Sequence, residues 1–133
     1  MTKFYAMLLL SLFGFISGAA QEKWTLAHEN EKVKIEYVLT DCIDAANGFN
    51  FEYYILKIEN KTNASLNLQY ILGTPSTGAT EEEISTNLIL KPREIVKGAC
   101  TDDGNLKYFS KDNSAKNARA NQFLISKIKT YAL

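Results

Sequence analysis

Chemistry in this chain would have to start from two cysteines, a single histidine and a scattering of carboxylates. Cys42 and Cys100 are spaced too widely for a CxxC redox or zinc arrangement. In an oxidising compartment they are expected to pair. Closing so long a loop would stabilise the fold by roughly 4 kcal/mol through its constraint on the unfolded chain. Two separately buried thiols are the alternative. The string from Gly73 to Gly78, GTPSTG, has the GxxxxG spacing of a phosphate loop, but that chemistry needs a lysine after the last glycine. Here Ala79 follows, and Glu81, Glu82 and Glu83 would repel an anion. Ser76 in the same string lacks the GxSxG elbow, and His28 has no evident carboxylate to orient it as a base.

The acidic residues support no stronger site. Asp41 and Asp44 with Asn47, or Asp102 with Asp103, could offer hard oxygens to calcium, yet neither group follows the alternate spacing of a calcium loop. Glu52 and Glu59 read as carboxylates on strand ends facing water rather than as a glycosidase pair. Asn60-Lys-Thr62 and Asn63-Ala-Ser65 are formal glycosylation sequons that also serve as turn formers. No catalytic, cofactor or metal site is assigned, and a small hydrolytic or metal-dependent enzyme is the least favoured class.

Aromatic residues offer a binding surface instead. Of Tyr37, Tyr53, Tyr54, Tyr70, Tyr108 and Tyr131, most are expected in the core with hydroxyls reaching the edge. Tyr53 and Ile55 fall on the face opposite Tyr54, Leu56 and Ile58, and would form an exposed patch if no second layer covered them.

These residues are positioned by elements that begin with a leader. One lysine, the apolar run Phe4 to Ile16 and the small residues Ser17 to Ala20 have the layout of a secretory signal peptide, with cleavage expected after Ala20 or Ala19. The run is shorter than a spanning helix needs, so no membrane span is expected after cleavage. An uncleaved N-terminal anchor is the alternative. Residues 21–133 then make a single domain in an exported chain, periplasmic or secreted. Fifteen basic side chains balance fifteen acidic ones without a basic stripe, so nucleic acid is not an expected partner.

The domain reads as strands. Lys23 to His28 is a short first one, and Lys32 to Leu39 alternates cleanly, Val33, Ile35, Tyr37 and Leu39 on one face, before stopping at Thr40-Asp41-Cys42. Asn47-Gly48 is a tight-turn signal. Phe49 to Asn63 is the densest run of strand formers and is expected to be central, covered on both faces at its start and wet at its end. Leu66 to Leu72 alternates after the Asn60–Asn63 turn, predicting a hairpin between the two. Gly73 to Glu83 reads as a surface excursion, with a capping-box pair at Thr80 and Glu83. Strands are expected at 86–90, 95–100, 106–110 and 122–131. The three-residue step from Ile125 to Ile128 predicts a bulge near Ser126-Lys127. About seven or eight short antiparallel strands favour an all-β, single β-sandwich.

Asp41-Cys42, Glu52-Tyr53, Leu56-Lys57 with Asn60-Lys61-Thr62-Asn63, Leu90-x-Pro92, Gly98-x-Cys100 and Tyr108-Phe109-Ser110 together resemble small exported proteins of Bacteroidota-type bacteria. The resemblance covers most of the mature chain. It implies an immunoglobulin-like sandwich behind a signal peptide and carries no catalytic residue. Those proteins tend to have further cysteines in the middle loop, whereas this chain has none between Gly73 and Glu83. The expected function is therefore a non-enzymatic exported module binding a protein or glycan partner. The runner-up is an accessory subunit of an envelope assembly, docked by edge-strand addition.

Overall fold

A computed structural model describes residues 23–73, 84–102 and 105–133 of the chain. The stretch 1–20 read as a leader and the loop with its GxxxxG string and capping-box pair, from 74 to 83, lie outside the described residues, as does Asp103. The described residues form eight strands: β1 (Thr25–Glu29), β2 (Val33–Asp44), β3 (Phe49–Asn60), β4 (Leu66–Gly73), β5 (Ile84–Leu90), β6 (Ile95–Lys97), β7 (Lys107–Asp112) and β8 (Leu124–Ala132). All pair antiparallel, in two sheets. One runs β1-β2-β3-β6 with β7 also on β3, and the other runs β5-β4-β8. No helix among the described residues is long and apolar enough to cross a membrane.

The alternation read from the sequence becomes the core. Val33 and Ile35 of β2, Tyr54, Leu56 and Ile58 of β3, and Leu66, Leu68, Tyr70 and Leu72 of β4 are buried between the sheets, with Leu90 and Tyr108. Each fully buried aliphatic side chain contributes about 1.5–3 kcal/mol. Phe123, Ile125 and Ile128 pack on this core from β8 and the residue before it. The bulge expected there is present: Ser126 pairs with Ile71 and Lys129 with Gln69, so β8 spends one extra residue, and Lys127 takes φ 50°. That offset is what lets Ile125 and Ile128 face the same core.

Three expectations about β3 and its neighbour β2 are corrected. It does not form a hairpin with β4. One edge of β3 is paired along its length with β2, and the other is shared by β6 and β7. With both edges taken, the chain must leave for the other sheet, where β4 finds β5 and β8. The burial gradient is also the reverse of the one expected: Phe49 is 49% exposed while Asn60 is fully buried. The tip of the β2–β3 hairpin leaves Ile43 and Phe49 exposed, whereas at its other end Asn60 is bonded to the turn at Lys91–Glu94. Finally, β2 does not stop at Thr40-Asp41-Cys42, because β3 continues beside it and pairing runs on to Asp44 opposite Phe49. Gly48, at φ +71°, closes that hairpin.

The two-layer sandwich is thus as expected. In the constant-type immunoglobulin order the second and third strands lie in opposite sheets, whereas here they are hydrogen-bonded neighbours.

Asn60 is the corner of the crossing. Its Nδ2 donates to the carbonyls of Ala64 (2.8 Å) and Lys91 (2.9 Å), and its Oδ1 accepts from the Thr62 amide (2.9 Å) and hydroxyl (2.8 Å). The Asn60 amide donates to Glu94 O and the Arg93 amide to Thr62 O, so the Lys91–Glu94 turn is clamped to the crossing. The first sequon is therefore part of the framework, its acceptor nitrogen enclosed. Asn60→Ala strands two carbonyls and should lower stability by about 2–3 kcal/mol in urea unfolding; a loss under about 0.5 kcal/mol would show the corner to be dispensable.

Buried tyrosines reach loop carbonyls. Tyr54 donates to Asn121 O (2.8 Å) and Tyr70 to Asn105 O (2.7 Å). Burial pushes the Tyr70 phenol up to about 12, with the Thr86 hydroxyl working in the opposite direction. Because the folded-state value is raised, its contribution is complete below the unfolded value near 10 and is lost as pH climbs from there through about 12. Tyr70→Phe should remove roughly 2–3 kcal/mol of this alkaline loss. Melting curves of the two proteins compared from about pH 9 to about pH 12 should converge or cross, and parallel profiles would contradict the assignment.

Candidate binding groove

The outer face of β2 and β3 is set by register. Asp44 lies opposite Phe49, Cys42 opposite Phe51, Thr40 opposite Tyr53 and Val38 opposite Ile55, and directly opposed residues share a face. On the far side of β3, Tyr53 is opposite Phe109 and Ile55 opposite Lys107. Four aromatic rings therefore meet outside the core. Phe49 stacks on Phe51 at 5.3 Å between centroids, and Phe109 meets Phe51 and Tyr53 edge-on at 5.9 and 5.7 Å. Lys107 Nζ sits 4.8 Å above the Tyr53 ring, a cation–π contact.

A loop forms the wall of this surface. Cys42 and Cys100 are disulfide-bonded, which fastens the segment after β6 onto the outer face of the sheet. The Ala99 amide donates to Asp102 Oδ2 (2.7 Å) and the Asp102 amide to Ala99 O, closing a turn. Lys107 Nζ donates to Cys100 O at 3.0 Å, tying the loop to β7. Gly98 begins it with its amide on Leu56 O, and a Cβ at that position would run into the Leu106 backbone carbonyl. Only glycine allows β6 and the start of β7 to share this stretch of β3.

The loop separates the two residues expected to form a patch. Ile55 is covered, only 3% exposed, beneath Gly98, Ala99 and Cys100. Tyr53 stays half-buried and lines an open groove of about 410 Å³ together with Phe49, Phe51, Lys107 and the disulfide. The condition attached to the patch, that no second layer cover it, therefore fails at Ile55 and holds at Tyr53. Phe49, Phe51 and Phe109 were not singled out in the sequence. For the first two the signal was the odd-numbered phase Phe49, Phe51, Tyr53, which marks one face of one strand.

The other candidates disperse. Asp44 accepts from the Asn47 amide (3.3 Å) and Nδ2 (2.7 Å), Asp41 from Asn113 Nδ2 (2.9 Å), and Asp102 from Ala99. Each carboxylate serves its own turn or neighbour. Among the described residues no group of three or more His, Cys, Asp or Glu is placed to hold a metal. Glu52 departs from the expectation that it faces water: it is half-buried and accepts from the Ser110 hydroxyl at 2.8 Å. It lies on the opposite face of β3 from Glu59, so the two cannot flank one substrate. The His28 ring is 3.3 Å from Asn30 Nδ2.

Fold and site together define a two-sheet β-sandwich with an aromatic groove walled by a disulfide-tethered loop. Comparison with protein-family models, with curated proteins and with solved structures returns no match to this chain.

Replacing both cysteines by serine should cost about 4 kcal/mol in urea unfolding, and should expose Ile55 as the loop lifts. Hydrogen exchange at the Leu56 and Gly98 amides would report that lifting; a loss below about 1 kcal/mol with unchanged protection would show the loop to be held without the bridge.

Proposed function

We propose that this chain is an exported, non-enzymatic binding module that takes apolar or aromatic side chains of a partner protein in the groove over Phe49, Phe51 and Tyr53, with the exposed Phe109 ring beside it. One observation carries the reading: four aromatic rings gather on the outer face of a sheet, with Phe49 49% and Phe109 40% exposed, beside a fixed wall. Contiguous exposed apolar surface of this kind marks interaction sites, and rigid aromatic anchors lose little entropy on binding.

A protein segment is favoured over a glycan by the lining. Sugar sites combine an aromatic platform with polar groups aimed at hydroxyls. Here Asp44 is held by Asn47 and Lys107 by Cys100 O and the Tyr53 ring. Export is supported by the leader-like sequence, by the resemblance to small exported proteins and by a disulfide in a chain with no free cysteine among its described residues. Among the described residues that line the groove, Asp44 and Lys107 are each engaged by a neighbour, which favours binding over catalysis.

A phage-displayed peptide library and a glycan array, both presented to the mature protein, test this. Aromatic-rich peptides should be selected, and their affinity should fall about tenfold or more in Phe51→Ala and in Phe109→Ala while Ile89→Ala, on the other sheet, leaves it unchanged. Selection of glycans instead, or equal affinity in all three variants, would overturn the reading.

A further inference from the structure

The sheet edges are not alike. β1 is short and its pairing shifts between Leu26 and His28. β6 has three residues and ends in Lys97, and β7 carries Lys107 and Lys111 with an irregularity opposite Glu52 and Tyr53. β8 has its bulge, with Lys127 and Lys129. Short strands, lysines and bulges are the devices by which sheets discourage pairing at their edges. β5, Ile84–Leu90, has none of them: it holds no charge and no proline, its register with β4 is unbroken, and among the described residues it pairs with β4 alone. Beside it the sandwich is open. A cleft of about 420 Å³ between the sheets is lined by Leu88, Val96 and Leu106, with Lys97, Asp102 and Asn105 around it.

We propose that β5 pairs antiparallel with β5 of a second copy of this chain, joining two three-stranded sheets into one of six across a two-fold axis near Leu88. The strand's own pattern selects the second copy. In a pair centred on Leu88, Thr86 faces Leu90 of the other copy, Leu88 faces its counterpart, and Asn87 faces Ile89. The inward side then continues the core, because Thr86, Leu88 and Leu90 are the residues opposite Tyr70, Leu68 and Leu66 of β4. Leu88, half-buried at the mouth of the cleft, is covered by its twin. Ile89, 64% exposed on the outer side, gains a neighbour in Asn87. An uncharged strand meets itself without repulsion, and a two-fold contact must be self-complementary in just this way. The seam is small beside the roughly 1,200–2,000 Å² of a stable interface, so dissociation in the micromolar range or weaker is expected.

Sedimentation equilibrium of the mature protein from about 1 µM to about 1 mM should show a reversible monomer–dimer equilibrium. Asn87 is exposed and lies next to the axis, so Asn87→Lys and Asn87→Glu should each weaken association about tenfold or more without shifting the melting temperature. Mixing the two variants in equal amounts should restore it. A protein monomeric to the highest concentration, a dimer indifferent to both variants, or a mixture that stays dissociated would each overturn the proposal.

Discussion

The hydrogen-bonding capacity of one strand governs this fold. Every strand has two edges, and β3 has both engaged: β2 takes one along its length, and β6 and β7 divide the other. The join between the two short strands is itself sealed, with the Gly98 amide on Leu56 O and the Leu56 amide on Leu106 O. Since an unpaired buried backbone group costs as much as a lost hydrogen bond, this saturation leaves β4 no place in the same sheet. The crossing at Asn60 follows, and with it the second layer that buries Leu56 and Ile58. The same saturation brings the segment after β6 to the outer face, where the disulfide can hold it.

Much of this was legible in the residues. Alternation identified the inward faces of β2, β3 and β4, the step from Ile125 to Ile128 located the bulge, and the two cysteines in an export-like chain pointed to their bridge. What alternation does not encode is the identity of neighbours. Leu66 to Leu72 has the pattern of a hairpin partner for β3, and a five-residue connection suits a hairpin as well as a crossing. Competition for an edge decides between them, and the competitors, β6 and β7, lie beyond β5 in the chain.

The groove was legible only in part for a related reason. Tyr53 and Ile55 have the same phase on the same strand, so local pattern assigns them one fate. Their environments differ because Cys100, far along the chain, carries a loop over one and not the other. Phe109 joins the site through pairing of β7 with β3, a contact no short-range pattern specifies. A ring cluster built from two strands far apart in sequence becomes visible when the register is known, whereas the single-strand phase of Phe49, Phe51 and Tyr53 was already in the sequence.

Two of the buried phenols attach to their loops in a manner with a separate consequence. Tyr54 and Tyr70 grip the main-chain oxygens of Asn121 and Asn105, groups that every amino acid possesses. An anchor of that kind is blind to the side chain it holds. Positions 105 and 121 can therefore drift in sequence, altering the polarity and shape of the surface they present, while the core keeps their main chain in place.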